Sequence, residues 1–298
     1  MRVFVTGAAG FIGRAVTKDL IAAGHQVVGL ARNDANVEML TKDGVTPLRG
    51  SLEDLDSLRK GAREADGVIH LAFIHDFAKF AENGQIDKRA IEAMGQALEG
   101  TNKPLIVTSG VALLAPGRLS TEDDVAHSGS GIPRVSEAAV FGFTERGVKT
   151  MAVRLPQVHG GEGKAGFIGY FLEVAKQKGA SAYVGDGANR MAAAHRADVA
   201  RVYRLALEKG ATGAAYHAVG DEGVPFREIA EVLGRAAGVP AISIPAEKAG
   251  EHFGWLGMFA GIDAPASSAL TQQRLGWKPK EIGLIADIGQ PGYFAPVP

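Results

Sequence analysis

The start of the chain constrains its fold more than any other stretch. Val3-Phe4-Val5 is an apolar run that leads into Thr6-Gly7-Ala8-Ala9-Gly10-Phe11-Ile12-Gly13-Arg14, and Ile12, Val16 and Leu20 then recur at helical spacing. The segment reads as strand, tight turn and helix. Gly7 can take backbone angles closed to other residues, Gly10 lets the main chain approach an anion, and Gly13 lets the helix pack closely on the strand. The helix that opens at Phe11 and Ile12 presents unpaired N–H groups to a pyrophosphate. A second apolar run, Gln26 to Leu30, follows directly, so the pattern sits in a strand-helix-strand unit and points to a bound dinucleotide.

The rest of the chain repeats this alternation. Strands are expected near Val45 to Arg49, Gly67 to Phe73, Pro104 to Gly110 and Thr150 to Leu155. Helices are expected around Val37 to Lys42, Leu55 to Ala62 and Asp87 to Leu98. The predicted fold is therefore α/β, a Rossmann-type doubly wound parallel sheet with a smaller C-terminal substrate lobe. The expected division is residues 1–160 for the dinucleotide-binding domain and 161–298 for the smaller lobe, with strands and helices able to return to the first.

In the second half, Gly166 to Lys178 reads as a helix with Phe167, Tyr170, Phe171 and Val174 near one face. Tyr183 to Arg190 reads as strand, turn and return, and Ser267 to Leu275 as a last helix over the cleft. The loop from Ala115 to Ile132, which carries His127, is the longest candidate for a lid.

Composition excludes several functions. The net charge is −1, with no run of like charge, which argues against nucleic acid and an anionic membrane as partners. Cysteine is absent, which removes disulfides, thiolate nucleophiles and cysteine-ligated metals. No apolar run is long enough to span a bilayer and no leader pattern precedes the first strand, so a cytoplasmic protein with a small-molecule substrate is expected. His70, in the apolar run Gly67 to Phe73, and nearby His75 read as an ordinary buried histidine and its neighbour; no carboxylate cluster completes a metal site there.

Two positions bear on the cofactor and the chemistry. Where the second strand ends, an NAD-selective site places an acidic side chain on the adenosine ribose; this chain has Ala31 and Arg32, which favours NADP(H) over NAD(H). Ser109 ends the fifth strand, at the edge where ligands of a doubly wound sheet bind.

Several motifs together resemble the short-chain dehydrogenase/reductase superfamily, in its extended branch of epimerase- and dehydratase-like proteins. They are Thr6 to Gly13, Ile69-His70-Leu71-Ala72, Arg154-Leu155-Pro156-Gln157-Val158-His159-Gly160, His195-Arg196-Ala197-Asp198-Val199-Ala200 and Leu275-Gly276-Trp277-Lys278-Pro279. The resemblance implies that Ser51, Leu52, Leu71, Ala72, Phe73 and Thr108 border the cofactor. It puts Gln157 and Val158 beside the nicotinamide, and it gives Ser109 the role of polarising a substrate oxygen. A homodimer through the helices near residues 87–98 and 133–146 would also follow the family.

The chain departs from the family at its proton-transfer pair. None of the five tyrosines is followed four residues later by lysine, and none precedes Tyr170. Aligning Ser136-Glu137 with the family's Ser-Lys puts Pro133 in place of tyrosine and Glu137 in place of lysine, where a carboxylate could still accept hydrogen bonds from the nicotinamide ribose. His159, His127 or a bound water remain as proton sources, and the plainer reading of His159 is a residue lining a glycine-rich loop. The functional expectation is an NADPH-dependent oxidoreductase of small carbonyl or alcohol substrates. The alternative is an NADP-binding regulatory or sensor protein without turnover; an epimerase or dehydratase is a weaker third.

Overall fold

A computed structural model describes residues 1–76, 79–112, 114–125, 135–161 and 166–295. Strand β1 (Arg2–Thr6) leads into helix α1 (Phe11–Ala22), and β2 (Gln26–Ala31), α2 (Asp34–Lys42), β3 (Thr46–Arg49), α3 (Leu55–Glu64) and β4 (Gly67–His70) continue the alternation. Side-chain caps mark where the helices begin. Asn33 accepts from the Asn36 amide at 2.9 Å to start α2, and Asp54 accepts from the Ser57 amide at 3.2 Å to start α3.

Helix α4 (Phe80–Leu98) precedes β5 (Pro104–Gly110), and α5 (Ser136–Phe141) precedes β6 (Lys149–Leu155). Helix α4 begins a full turn and more before the expected Asp87, and the Asn83 side chain ties its first turn to the carbonyl of Asp76 at 2.8 Å. Helix α5 is shorter than expected and ends at Gly142, well before Arg146.

The remaining elements are β7 (Gln157–His159), α6 (Gly166–Lys178), β8 (Ser181–Val184), β9 (Arg190–His195) and α7 (Arg196–Lys209), followed by β10 (Ala214–His217), β11 (Asp221–Pro225), α8 (Phe226–Ala237) and β12 (Ala241–Ile244). Short helices α9 (Ala249–Phe253), α10 (Gly257–Gly261), α11 (Ala269–Leu275) and α12 (Leu284–Ile288) complete the described chain.

The central sheet has seven strands in the order β10-β6-β5-β4-β1-β2-β3, and every pairing in it is parallel. The strand order reverses at β1, which pairs with β2 on one side and β4 on the other, so a crevice opens beyond the C-terminal ends of those strands. Strand alternation sends Val3 and Val5 to one layer, packed with Val16, Leu20, Val199 and Tyr203, and Phe4 to the other, packed with Leu58, Ile91 and Met94. Strand β10 and helix α7 belong to this first body although they follow residue 160.

A third core, built on Phe171, Phe226, Phe253 and Leu284, holds the C-terminal elements together. Three sequence expectations change here. The stretch from Tyr183 to Arg190 is not a hairpin: β8 pairs with β12, and β9 pairs with β7 and β11, because the turn through Gly185 and Gly187 passes the chain from one small sheet to another. Tyr170 is not on the buried face of α6; it is 47% exposed, while Ile168, Phe171 and Leu172 fill the core. Helix α11 packs on α7 and β10 and does not cover the crevice.

The described part of the loop after Ala115 is pinned rather than open. Ser120 pairs with Ala266 as an isolated bridge, and buried Glu122 accepts from the Thr271 amide at 2.6 Å.

Candidate functional site

The glycine turn has the geometry its sequence demands. Gly7 has φ +71°, in the left-handed region, and a side-chain carbon there would lie 2.7 Å from the amide nitrogen of Ala72. A carbon on Gly13 would lie 2.0 Å from the Gly7 carbonyl oxygen, so α1 touches the turn as closely as atoms allow. Gly10 begins α1 without a side-chain cap, and no acidic residue lies in the first turn. The amides of Phe11, Ile12 and Gly13 therefore keep their positive end free for an anion. These residues fit the pyrophosphate of a dinucleotide.

Behind the turn lies a buried polar chain. Thr6 Oγ1 accepts from the Ala72 amide at 3.2 Å and is 2.7 Å from His70 Nδ1; His70 Nε2 is 3.0 Å from Asp87 Oδ1, and Ser136 Oγ donates to Asp87 Oδ2 at 2.6 Å. All four side chains are buried, so each hydrogen bond replaces hydration lost on folding. The chain ties the exit of β4, with Leu71, Ala72 and Phe73, to the glycine turn. His70 is structural, and among the described residues no group of three or more His, Cys, Asp or Glu could hold a metal ion.

At the end of β2, Ala31 is fully buried and Arg32 is exposed. The nearest following acid, Asp34, is paired with Arg49. Ser51 accepts from the amides of Glu53 and Asp54 at 3.2 Å each, and Leu52 is buried beside it, so the Ser51 hydroxyl shapes the loop that launches α3.

A cavity of about 320 Å³ continues from the turn between the two halves of the molecule. Its described wall includes Phe11, Ile12, Phe73, Ser109, Gln157 and Val158, which sequence reasoning named, and Phe80, Leu114, Met191 and Phe259, which it did not. No local pattern marks these last four, because they come from separate elements that meet only on folding. The polar groups on the described wall are few. Ser109 is half-buried and its hydroxyl has no hydrogen-bond partner among the described residues, and Gln157 Nε2 donates to the Val158 carbonyl at 3.1 Å.

Arg190 also reaches the wall, but Asp263 holds its guanidinium with bonds of 2.9 and 2.8 Å. Arg190 in turn keeps the Asp263 carboxyl below the usual carboxylate range. The cavity is therefore mostly apolar, with the Ser109 hydroxyl on its wall and Arg190 held by Asp263.

Three expected site residues are turned elsewhere. Thr108 precedes Ser109 on β5 and so faces the opposite layer, where its hydroxyl donates to the His70 carbonyl at 2.8 Å and meets Tyr203 Oη at 2.7 Å. Glu137 does not face the crevice. Both its oxygens are taken by the Arg154 guanidinium at 2.8 Å, because Arg154 is buried on β6 and needs a counter-charge. His159 is fully buried with Nδ1 2.7 Å from Asp287 Oδ2, and the pairing of β7 with β9 sets it against His195, away from the cavity wall. His127 and Pro133 lie outside the described residues.

A family description of NAD(P)H-binding matches residues 7–128. An uncharacterized protein of Schizosaccharomyces pombe is 48% identical over 296 residues, covering 99% of this chain and all of its own. A 2-alkyl-3-oxoalkanoate reductase of Stenotrophomonas maltophilia is 28% identical over 81% of this chain and 77% of its own. The fold matches that of a dTDP-glucose 4,6-dehydratase from Streptomyces venezuelae with a TM-score of 0.77, at 20% identity, over 97% of this chain and 95% of that one.

This chain belongs to the extended short-chain dehydrogenase/reductase superfamily. As a member, it is an NAD(P)-binding protein of the oxidoreductase kind, built on the superfamily's parallel sheet. It is an atypical one, since its sequence contains no Tyr-x-x-x-Lys. No helix among the described residues is long and apolar enough to cross a membrane.

Proposed function

We propose that this protein is an NADPH-dependent oxidoreductase acting on an apolar carbonyl or alcohol. One observation carries the reading: the Ser109 hydroxyl, unpaired among the described residues, lies on the wall of an apolar cavity that also includes Phe11 and Ile12 of the glycine turn. When bound, the nicotinamide supplies or takes up a hydride at its C4. The protein's part is to hold the two reactants together and to stabilise charge on oxygen.

The first-turn amides of α1 bind the pyrophosphate, and Arg32 binds the 2′-phosphate. Gln157 and Val158 border the nicotinamide. Ser109 donates a hydrogen bond to the substrate oxygen as it gains negative charge during reduction, and apolar walls strengthen that bond by excluding water. The proton that completes the alcohol comes through water at the cavity mouth. The paired state of Arg190 argues against a sugar nucleotide, whose diphosphate needs an available cation. The reductase of Stenotrophomonas, named for a 2-alkyl-3-oxoalkanoate, agrees with an apolar carbonyl substrate.

A panel of ketones, aldehydes and quinones with NADPH, followed by the loss of reduced-nicotinamide absorbance, tests this reading. Turnover that falls about 100-fold or more in Ser109→Ala, with NADPH affinity retained, is the expected result. Tight NADPH binding with no turnover on any substrate would instead support an NADP-binding sensor. The capture of Glu137 by Arg154 favours that second reading, since it leaves the described residues of α5 without a group for proton transfer.

A further inference from the structure

We propose that the substrate carries a hydrocarbon body longer than the cavity, and that this body lies along a strip of aromatic side chains running from the cavity wall to the surface. The reactive end of the argument rests on the oxidoreductase reading above; the strip does not.

Phe167 and Phe259 are both part of the cavity wall, with ring centroids 5.0 Å apart. From there the rings continue outward without a break. Phe167 is 5.8 Å from Trp255, and Trp255 is 5.6 Å from Tyr170. At the outer end Tyr170 is 47% exposed and Trp255 39%, and Met258, the sequence neighbour of Phe259 on α10, is 53% exposed. Large apolar side chains gathered at a surface cost hydration free energy unless something covers them. Here the covering group is identified by continuity, because the strip shares two rings with the wall of the substrate cavity.

Size points the same way. At about 320 Å³ the cavity is at the small end of ligand sites, which run from about 300 to 1,000 Å³. A molecule that places its carbonyl at Ser109 and also touches Trp255 must extend beyond it. Aromatic faces and a flexible thioether bind alkyl chains without demanding one shape. The paired Arg190 offers no free charge to an ionic head group, so the chain's apolar surface supplies most of the affinity.

The protein contains two tryptophans, and Trp277 is buried at 2% exposure, so a ligand on the strip is reported by the fluorescence of Trp255. Full-length protein loaded with NADP⁺ is titrated with straight-chain 2-alkanones from hexanone to tetradecanone, and KM is measured on the same series with NADPH. Affinity should rise about twofold or more per methylene, continuing past the length the cavity holds, with a blue shift of emission confined to the long members. Trp255→Ser combined with Met258→Ser should flatten the rise at the long end, while Trp255→Phe preserves it.

An affinity that levels off once the cavity is filled, or a slope untouched by the double substitution, overturns the proposal. So does a fall in sedimenting mass on substitution with the slope unchanged, which would make the strip a contact between copies of this chain. Length-dependent binding without turnover leaves the strip standing and removes the oxidoreductase reading. Turnover indifferent to chain length does the reverse.

Discussion

The guanidinium of Arg154 grips the carboxylate of Glu137 through two 2.8 Å hydrogen bonds, in a place where neither side chain is more than 8% exposed. The Nη1 of Arg154 also reaches the Glu122 carbonyl at 3.3 Å, so the cation is tied to β6, α5 and the loop after Ala115 at once. Removing one member of such a pair strands the other charge without water. Glu137→Gln is expected to lower unfolding free energy by about 3–5 kcal/mol, read by urea denaturation. A loss under about 1 kcal/mol would mean that the pair is hydrated and replaceable. Glu137→Lys should be worse still, because it sets two cations side by side.

The glycine turn yields a graded prediction. A methyl group on Gly13 meets the Gly7 carbonyl oxygen at 2.0 Å, whereas one on Gly10 meets it at 3.1 Å. Backbone cannot give way as a flexible side chain can. Gly13→Ala should therefore abolish NADPH binding and cost about 1–3 kcal/mol of stability, with Gly10→Ala milder on both counts. Parallel NADPH titrations and thermal melts decide the order; equal effects would contradict the packing argument.

The proposed preference for NADPH is tested at Arg32. Its exposed guanidinium can pair with a 2′-phosphate, and Ala31, at the end of β2, offers no carboxylate to the plain ribose. Arg32→Ala is expected to weaken NADPH about tenfold or more while leaving NADH within about threefold, measured by calorimetry. An unchanged ratio of the two affinities would remove the basis for preferring NADPH.

Acid should destabilise the fold through its buried histidines. Burial pushes His217 below the ordinary histidine pKa, with Glu122 opposing and Arg154 adding to the shift, and burial does the same for His195 with help from His159. The unfolded chain takes up protons near pH 6.5 while the folded one resists, so the unfolded state binds more protons below that value and stability declines as pH falls. Each such histidine contributes up to about 1.4 kcal/mol per pH unit between its two pKa values. Denaturation between pH 7 and pH 5 should show this slope, and His217→Gln should reduce it; the same slope in the variant would exonerate His217.

The parts legible in sequence share one property: their physics is local. Glycine spacing, the helical recurrence of Ile12, Val16 and Leu20, and the apolar runs of β1, β2 and β5 each describe a few neighbouring residues, and the structure agrees with them closely. The place of Ser109 on the cavity wall is legible for a related reason, since the end of a parallel strand has a known relation to the crevice. Thr108, one residue earlier, was assigned to the same edge; strand alternation turns it away to Tyr203.

What was not legible depends on partners far along the chain. Glu137 is held by Arg154 of another element, and His159 by Asp287, 128 residues away. The aromatic strip has the same origin, joining Phe167 and Tyr170 of α6 to Trp255 and Phe259. By itself, then, the sequence determined that this chain builds a dinucleotide-binding parallel sheet, because backbone freedom at glycine and the periodic burial of apolar side chains act over a few residues. Only the tertiary structure decided which polar groups remain free to act, because a buried charge takes whatever counter-charge the topology delivers, and that choice is made across the whole chain.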